Sequence, residues 1–473
     1  MKKGEQQHLS FFIFHFSPSW RFGLYSTLMG AAGATVAFGD VVARKTLGMS
    51  GLAVTILTMS GPVTALGTIW WGAILRGRDQ RRIFLFLGIT STLSLTAVSL
   101  LTAPSQLILL YYLYCLAATV FGVAENRVMQ QHFSPQSTGK KYGLATGGRM
   151  AMGALVFAAA GFWMDHHTEG FRQVYPAAAL ISMVGLAMMA TIPTGVRKSE
   201  SPKVLKSESL KVLKSESSKV LKSESPKVSE SGLSNFTSFQ LSNPHELPLP
   251  IDRRLIAKPV KDVIELLKRR KDFLRFELAF MVYGVAFMLL MPVVPLYLVD
   301  DLKLSYSTIG LARGSLMMVV MIPAMPLFGR MYDRTTPHRM SALIFGLLPL
   351  YPLLLIAAGR AGGALQTWLV YAAFGWFGVV MSGLSVVWAL SSIRFAAGED
   401  VGIYQSVHIA ATGVRGLVGP LLGYAVMILI SKEAAMIAGA GLWLVAAWVM
   451  VWMRRIDRKM GEAVSLRAVR VTE

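Results

Sequence analysis

Hydrophobic positions in this chain are gathered into runs of about 20 residues, the length that crosses a hydrocarbon core ~30 Å thick. Twelve such runs are expected as membrane-spanning helices. The first six cover about 21–43, 50–74, 82–103, 106–126, 142–164 and 172–194. The second six cover about 273–299, 306–329, 339–359, 364–392, 402–429 and 434–453. Prolines and glycines recur inside them (Pro62, Pro292, Pro295, Pro323, Pro326, Pro349, Pro352, Pro420). Membrane helices accept these residues because neighbouring helices and local adjustments re-satisfy the freed backbone groups.

The pattern breaks once, between Arg197 and Lys271. That stretch opens on an eight-residue unit, K-S-E-S-x-K-V-L, repeated with Lys198, Lys206, Lys214 and Lys222 in equivalent places. So little apolar surface mixed with Lys, Glu and Ser cannot fold by burial, so a disordered spacer is expected. Its serines sit in charged surroundings where phosphate would reverse local charge, which leaves a regulatory role open. The stretch closes on a basic segment carrying Ile256, Val260, Val263, Ile264 and Leu267 among Lys and Arg. Residues 253–271 are therefore expected against the anionic inner leaflet. The organisation that follows is a tail over 1–20, a six-helix bundle over 21–196, a linker over 197–271, a second six-helix bundle over 272–454 and a tail over 455–473.

Composition agrees with a lipid solvent: 53% of residues are hydrophobic, 15% are charged, and mean hydropathy is +0.51. A soluble chain of this size needs more surface charge. The net charge of +21 invites a nucleic-acid reading. Its distribution argues otherwise. Of the 47 Lys and Arg, only Arg44, Lys45, Arg172, Lys303, Arg360 and Lys432 fall in loops opposite the termini, and only Arg149, Arg275, Arg313 and Arg415 within spans. The rest lie on the termini side, which the positive-inside rule makes cytoplasmic. No nucleic-acid partner is expected. The single cysteine, Cys115, excludes an intrachain disulfide and a thiolate cluster. The patch Phe11–Phe14 is too short for a cleavable signal and is expected along the membrane surface.

The chain also repeats itself. Ala145-Thr146-Gly147-Gly148-Arg149, with Gly153 and Leu155 following, matches Ala411-Thr412-Gly413-Val414-Arg415, with Gly419, Pro420 and Leu421 following. A second echo lies after spans two and eight, where Gly72 and Arg82 are spaced like Gly329 and Arg339. Echoes at corresponding places argue for a duplicated six-helix unit. On these residues the chain resembles the major facilitator superfamily, whose members have two six-helix halves and G-x-x-x-D-R-x-G-R-R-like loops after helices two and eight. The second copy keeps Gly329, Asp333, Arg334 and Arg339 but has Thr336 at the inner glycine; the first keeps Gly72, Arg81 and Arg82 but has Arg76 at the acid. The resemblance implies a gating role for these residues, capping helix ends and pairing across the inner surface. It also makes proton coupling the default. The Gly-Pro pattern found in helix five of the family's antiporters stands in span eleven here, at Gly419 and Pro420.

Charge inside a span costs at least ~2.5–3.5 kcal/mol on insertion scales and so needs a reason. Arg149 and Arg415 are expected to face a central cavity and hold an anionic group, since the guanidinium fork donates two parallel hydrogen bonds. His408, two turns before Arg415, is a polar or titratable partner for it. The alternative is that each Arg meets a structural acid or a carbonyl. Asp40 is a candidate proton or cation site, and Glu125 and Asn126 are candidates for transport, with Glu125 expected to pair with Arg127. Asp165, His166 and His167 read as solvated polar residues rather than metal ligands. Glu277 and Arg313 read as snorkelling groups near span ends. Gly147, Gly148, Gly413, Gly416 and Gly419 permit close helix approach.

The expected protein is an all-α permease of a small solute, an organic anion or amphipathic compound, working as a monomer by alternating access with a coupling proton. No P-loop appears, and no enzyme activity or cofactor is expected. The rival is a membrane receptor or scaffold of the same fold that docks partners through the central loop.

Overall fold

The computed structural model describes residues 17–74, 80–133, 135–192, 253–396, 399 and 401–472, and every element among them is helical. The repeat tract and the Phe11–Phe14 patch lie outside the described residues. Helices α1 (Pro18–Lys45), α2 (Gly51–Trp71), α3 (Arg82–Leu100), α4 (Ser105–His132), α5 (Pro135–His166) and α6 (Phe171–Ala190) form the first half. A basic helix, α7 (Arg253–Arg269), precedes the second. That half contains α8 (Lys271–Asp301), α9 (Tyr306–Asp333), α10 (Pro337–Arg360), α11 (Gly363–Ala396), α12 (Val401–Leu429) and α13 (Lys432–Thr472).

Eleven of these are long and apolar enough to cross a membrane, and α4 adds a shorter apolar run over Ser105–Phe121. Large apolar side chains point outward, including Leu429 at 80%, Leu144 at 79% and Phe86 at 70% exposure. Water would not tolerate so broad an apolar surface on a monomer; lipid does. The protein is a multi-pass membrane protein. Helix starts carry their own signals. Ser17 caps the Trp20 amide with Pro18 in the first turn, and Thr336 caps the Arg339 amide with Pro337 following.

The duplication seen in sequence is also a duplication of packing. In the first half α1 packs on α5 and α6, and α3 packs on α4 and α6. In the second, α8 packs on α12 and α13, and α10 packs on α11 and α13. The halves meet along two equivalent seams, α5 against α9 and α2 against α12. Small residues allow this approach. A Cβ on Gly314 of α9 would lie 2.0 Å from the Phe157 ring of α5, and one on Gly416 of α12 would lie 2.1 Å from Pro62 of α2.

Helix α7 packs on the bundle through one face. Leu266 is buried, and Val263 and Leu267 pack on the core, so one face docks on α8, α12 and the turn Thr68–Ile74 that ends α2. Val260 and Ile264 remain exposed. A bundle surface offers these residues fixed apolar partners, which is why docking competes with the lipid interface.

Candidate functional site

Polar contacts between the halves concentrate on the side opposite the termini. Over Gly310–Leu316 the backbone of α9 widens into a π-helical stretch, a feature frequent at functional sites. It carries Arg313 toward α1, where Nη1 and Nη2 donate to the two oxygens of Asp40 at 2.7 and 2.8 Å. Around this pair, Arg44 donates to Asp300 at 2.7 Å, Lys45 donates to the Leu304 carbonyl, and Thr46 meets the Tyr306 hydroxyl at 2.5 Å. Asp165 accepts the Tyr306 and Ser307 amides at 2.7 and 2.8 Å, satisfying amides at the start of α9.

Asp40, the candidate cation or proton site, is half of a bidentate ion pair. Arg313 is its partner rather than a snorkelling group, because a carboxylate lies within reach across the seam. Asp165 is exposed, as a solvated residue would be, and also joins the halves, while the exposed His166 and His167 rings hydrogen-bond the Phe162 and Trp163 carbonyls. Among the described residues no group of His, Cys, Asp and Glu is arranged to hold a metal.

The arginine echo resolves into two unlike environments. In the first half, Arg149 Nη2 donates to Glu125 Oε1 at 2.9 Å, and Nε donates to Ser26 Oγ at 3.2 Å. Tyr25 donates to the same Glu125 oxygen at 2.6 Å. Glu125 therefore pairs with Arg149 of α5; the side chains of Arg127, its expected partner, and of Asn126 lie outside the described residues. The Arg149 side chain keeps 39% of its surface exposed.

In the second half Arg415 is 2% exposed. Its Nη1 donates to the Phe280 carbonyl at 3.1 Å, its Nη2 to Thr412 Oγ1 at 2.6 Å, and its guanidinium lies over the Phe280 and Trp388 rings. In this conformation it is enclosed, not presented to a solute. Trp388 of α11 thus stands beside Arg415 where Glu125 of the equivalent helix α4 stands beside Arg149.

His408 is not bonded to Arg415. Its Nδ1 lies 2.9 and 3.1 Å from the two oxygens of Glu277 on α8, and both residues are buried, at 1% and 6% exposure. Glu277 was missed because sequence position alone placed it near a span end, where snorkelling suffices. Only the pairing of α8 with α12 turns it inward.

No curated protein sequence matches this chain. Residues 276–470 match the sequence profile of the Major Facilitator Superfamily. Solved structures carry the same fold over nearly the whole length. A proton-dependent oligopeptide transporter aligns at TM-score 0.62 and 11% identity, covering 93% of this chain and 99% of its own. The nucleoside transporter NupG aligns at 0.61 and 12%, covering 93% and 99%. A bacterial homologue of the human drug peptide transporters PepT1 and PepT2 aligns at 0.64 and 9%, covering 94% and 100%.

Over residues 276–470 the chain is similar to the Major Facilitator Superfamily, and it shares the fold of these solved structures.

The loop motif of the second half is only partly engaged. Asp333, Arg334 and Arg339 are exposed, and Thr336, standing at the inner glycine position, serves as the cap of α10. In the first half the Gly72 and Arg81 side-chain positions lie outside the described set, and Arg82 is exposed. Of the packing glycines, Gly148 abuts Thr27, Gly413 abuts Leu66 and Gly419 abuts Met288, whereas a Cβ on Gly147 would meet nothing within 4 Å. Pro420 sits inside α12 without ending it. Beside α7, Glu399 joins Arg269, Arg270 and Tyr404. Desolvation raises the Glu399 carboxyl, but the Tyr404 hydrogen bond and the two guanidinium groups hold it below its ordinary value.

Proposed function

We propose that this protein is a secondary active transporter that moves a small organic anion or amphipathic solute by rocking its two six-helix halves, with both termini cytoplasmic and a proton as coupling ion. The observation that carries this reading is the seam between the halves. Its pinning contacts on the side opposite the termini are discrete polar pairs, led by Asp40–Arg313, which can exchange partners or water without unfolding either bundle. Glycines at both seams give the close but shallow packing that a rocking interface requires.

Arg149 is the proposed solute contact. It remains partly exposed, already holds a carboxylate, and offers donors suited to a second anionic group. Arg415 would join it only in a conformation that opens the Phe280–Trp388 enclosure. Flux of a metabolite and drug panel into vesicles containing purified protein tests the proposal. Accumulation of an anionic solute that is lost in Arg149→Ala is the expected outcome. Absence of flux across a panel that raises the protein's thermal stability on binding would contradict it.

A further inference from the structure

The second half contains a buried titratable pair with one atom left over. His408 Nδ1 faces both oxygens of Glu277, while its Nε2 is buried and has no hydrogen-bond partner among the described residues. An orphaned buried polar atom costs about 1–3 kcal/mol, and use of that atom in another state is one reason for a packed ring to keep it. The Phe280 and Trp388 rings close over the imidazole, with centroids at 4.7 and 4.1 Å.

The surroundings balance in charge. Besides Glu277, α8 carries Lys271, Asp272, Arg275 and Tyr283 and, toward its far end, Tyr297, Asp300 and Asp301; α12 carries Tyr404 one turn before His408, then Arg415 and Tyr424. His338 of α10 lies beyond Phe276, and Arg270 and Glu399 gather around Tyr404 at the termini end. Within the enclosure the ionised carboxylate of Glu277 offsets the guanidinium of Arg415. A neutral imidazole leaves this set electrically neutral. A proton added there makes it a buried net cation, which low-dielectric surroundings penalise unless an anion enters as well.

We propose that Glu277 and His408 form the proton-carrying site of this transporter, with Nε2 of His408 as the atom that takes up and releases the proton. The inference rests on the transport reading above and names the residues of its coupling step. A proton from water on one side adds to the Nε2 lone pair, no other bond changes, and the imidazolium keeps its Nδ1–H on Glu277. The proton leaves to water on the other side after the halves have rocked. Because proton and anionic solute neutralise each other, the enclosed state favours both together or neither, which is the logic of symport.

The test is nitrogen NMR of histidine-labelled protein in detergent micelles, run beside solute flux in vesicles. In the wild type one signal, assigned by its loss in His408→Gln, is expected to report both the neutral and the protonated ring as pH is varied, and Glu277→Gln is expected to alter that balance. Flux depends on pH in the wild type and becomes independent of it in His408→Gln, whose amide still reaches Glu277. A His408 signal locked in one protonation state, or a pH profile of flux unchanged in His408→Gln, overturns the proton site while leaving transport intact. Absence of flux overturns the transport reading instead, and the NMR titration then decides by itself whether the pair binds a proton.

Discussion

Asp40 and Arg313 stand on different halves of the protein, yet Nη1 donates to Oδ1 at 2.7 Å and Nη2 to Oδ2 at 2.8 Å. The Asp40 side chain is 8% exposed and that of Arg313 25%, so this contact is neither fully desolvated nor a surface pair. Removing one partner of a buried pair leaves an uncompensated charge, and the residual exposure discounts the full ~3–5 kcal/mol to about 1.5–3 kcal/mol. Asp40→Asn is therefore expected to shift the closed-to-open ratio on that side roughly ten- to a hundredfold. The Ser315 hydroxyl donates to the Ala154 carbonyl across the same seam at 2.7 Å. A thiol placed there by Ser315→Cys reports the change as faster alkylation in the Asp40→Asn background; an unchanged rate contradicts the latch.

Steric contact makes a second prediction at the α5–α9 seam. Gly314→Ala would drive a Cβ into Phe157, whose Cγ lies 2.0 Å from the built position. The neighbour is the base of a ring on a helix, so it cannot swing clear. Gly314→Ala should weaken closure much as Asp40→Asn does, and Phe157→Leu in the same chain should restore part of it. Measured alkylation at Ser315→Cys again decides.

For the first-half cluster, Glu125→Gln and Arg149→Ala each strip a partner from a partly buried ion pair. Each single change is expected to cost about 1–3 kcal/mol of stability, and the double change less than their sum. Thermal unfolding in detergent gives the coupling. Additive losses would mean that Arg149 and Glu125 do not interact in solution.

Acid should release α7. The folded-state carboxyl of Glu399 titrates below its ordinary 4.5. A depressed value means that its stabilising contribution is present above 4.5 and is lost as pH falls through the lower folded value. Protection of α7 amides, taken relative to the intrinsic exchange rate at each pH, is thus expected to be level near neutrality, to fall in acid, and to be lower already at neutral pH in Glu399→Gln. Identical protection in both proteins at neutral pH would show that Leu266 and its apolar neighbours hold the helix unaided.

Much of the fold was legible in the sequence because lipid imposes one rule, a long apolar helix, that local composition displays. The A-T-G-x-R echo likewise exposed the duplication. The partners of the intramembrane charges were not legible. Arg313 meets Asp40, Asp165 meets Ser307 and Glu277 meets His408 only because distant helices pack together, and no spacing rule connects such positions. The echo even misled in one respect. It made Arg149 and Arg415 look equivalent, whereas Glu125 beside one and Trp388 beside the other give them opposite surroundings.

The account depends on the halves moving against each other. Spin labels at His167 and Lys303 report the side opposite the termini, and labels at Tyr142 and Arg334 report the termini side; all four positions are exposed. Replacing the lone buried cysteine by Cys115→Ala gives a clean background for both pairs. On going to Asp40→Asn, distances in the first pair should lengthen while those in the second shorten. Distances that stay fixed in both pairs, or change in the same direction, would contradict a rocking transporter.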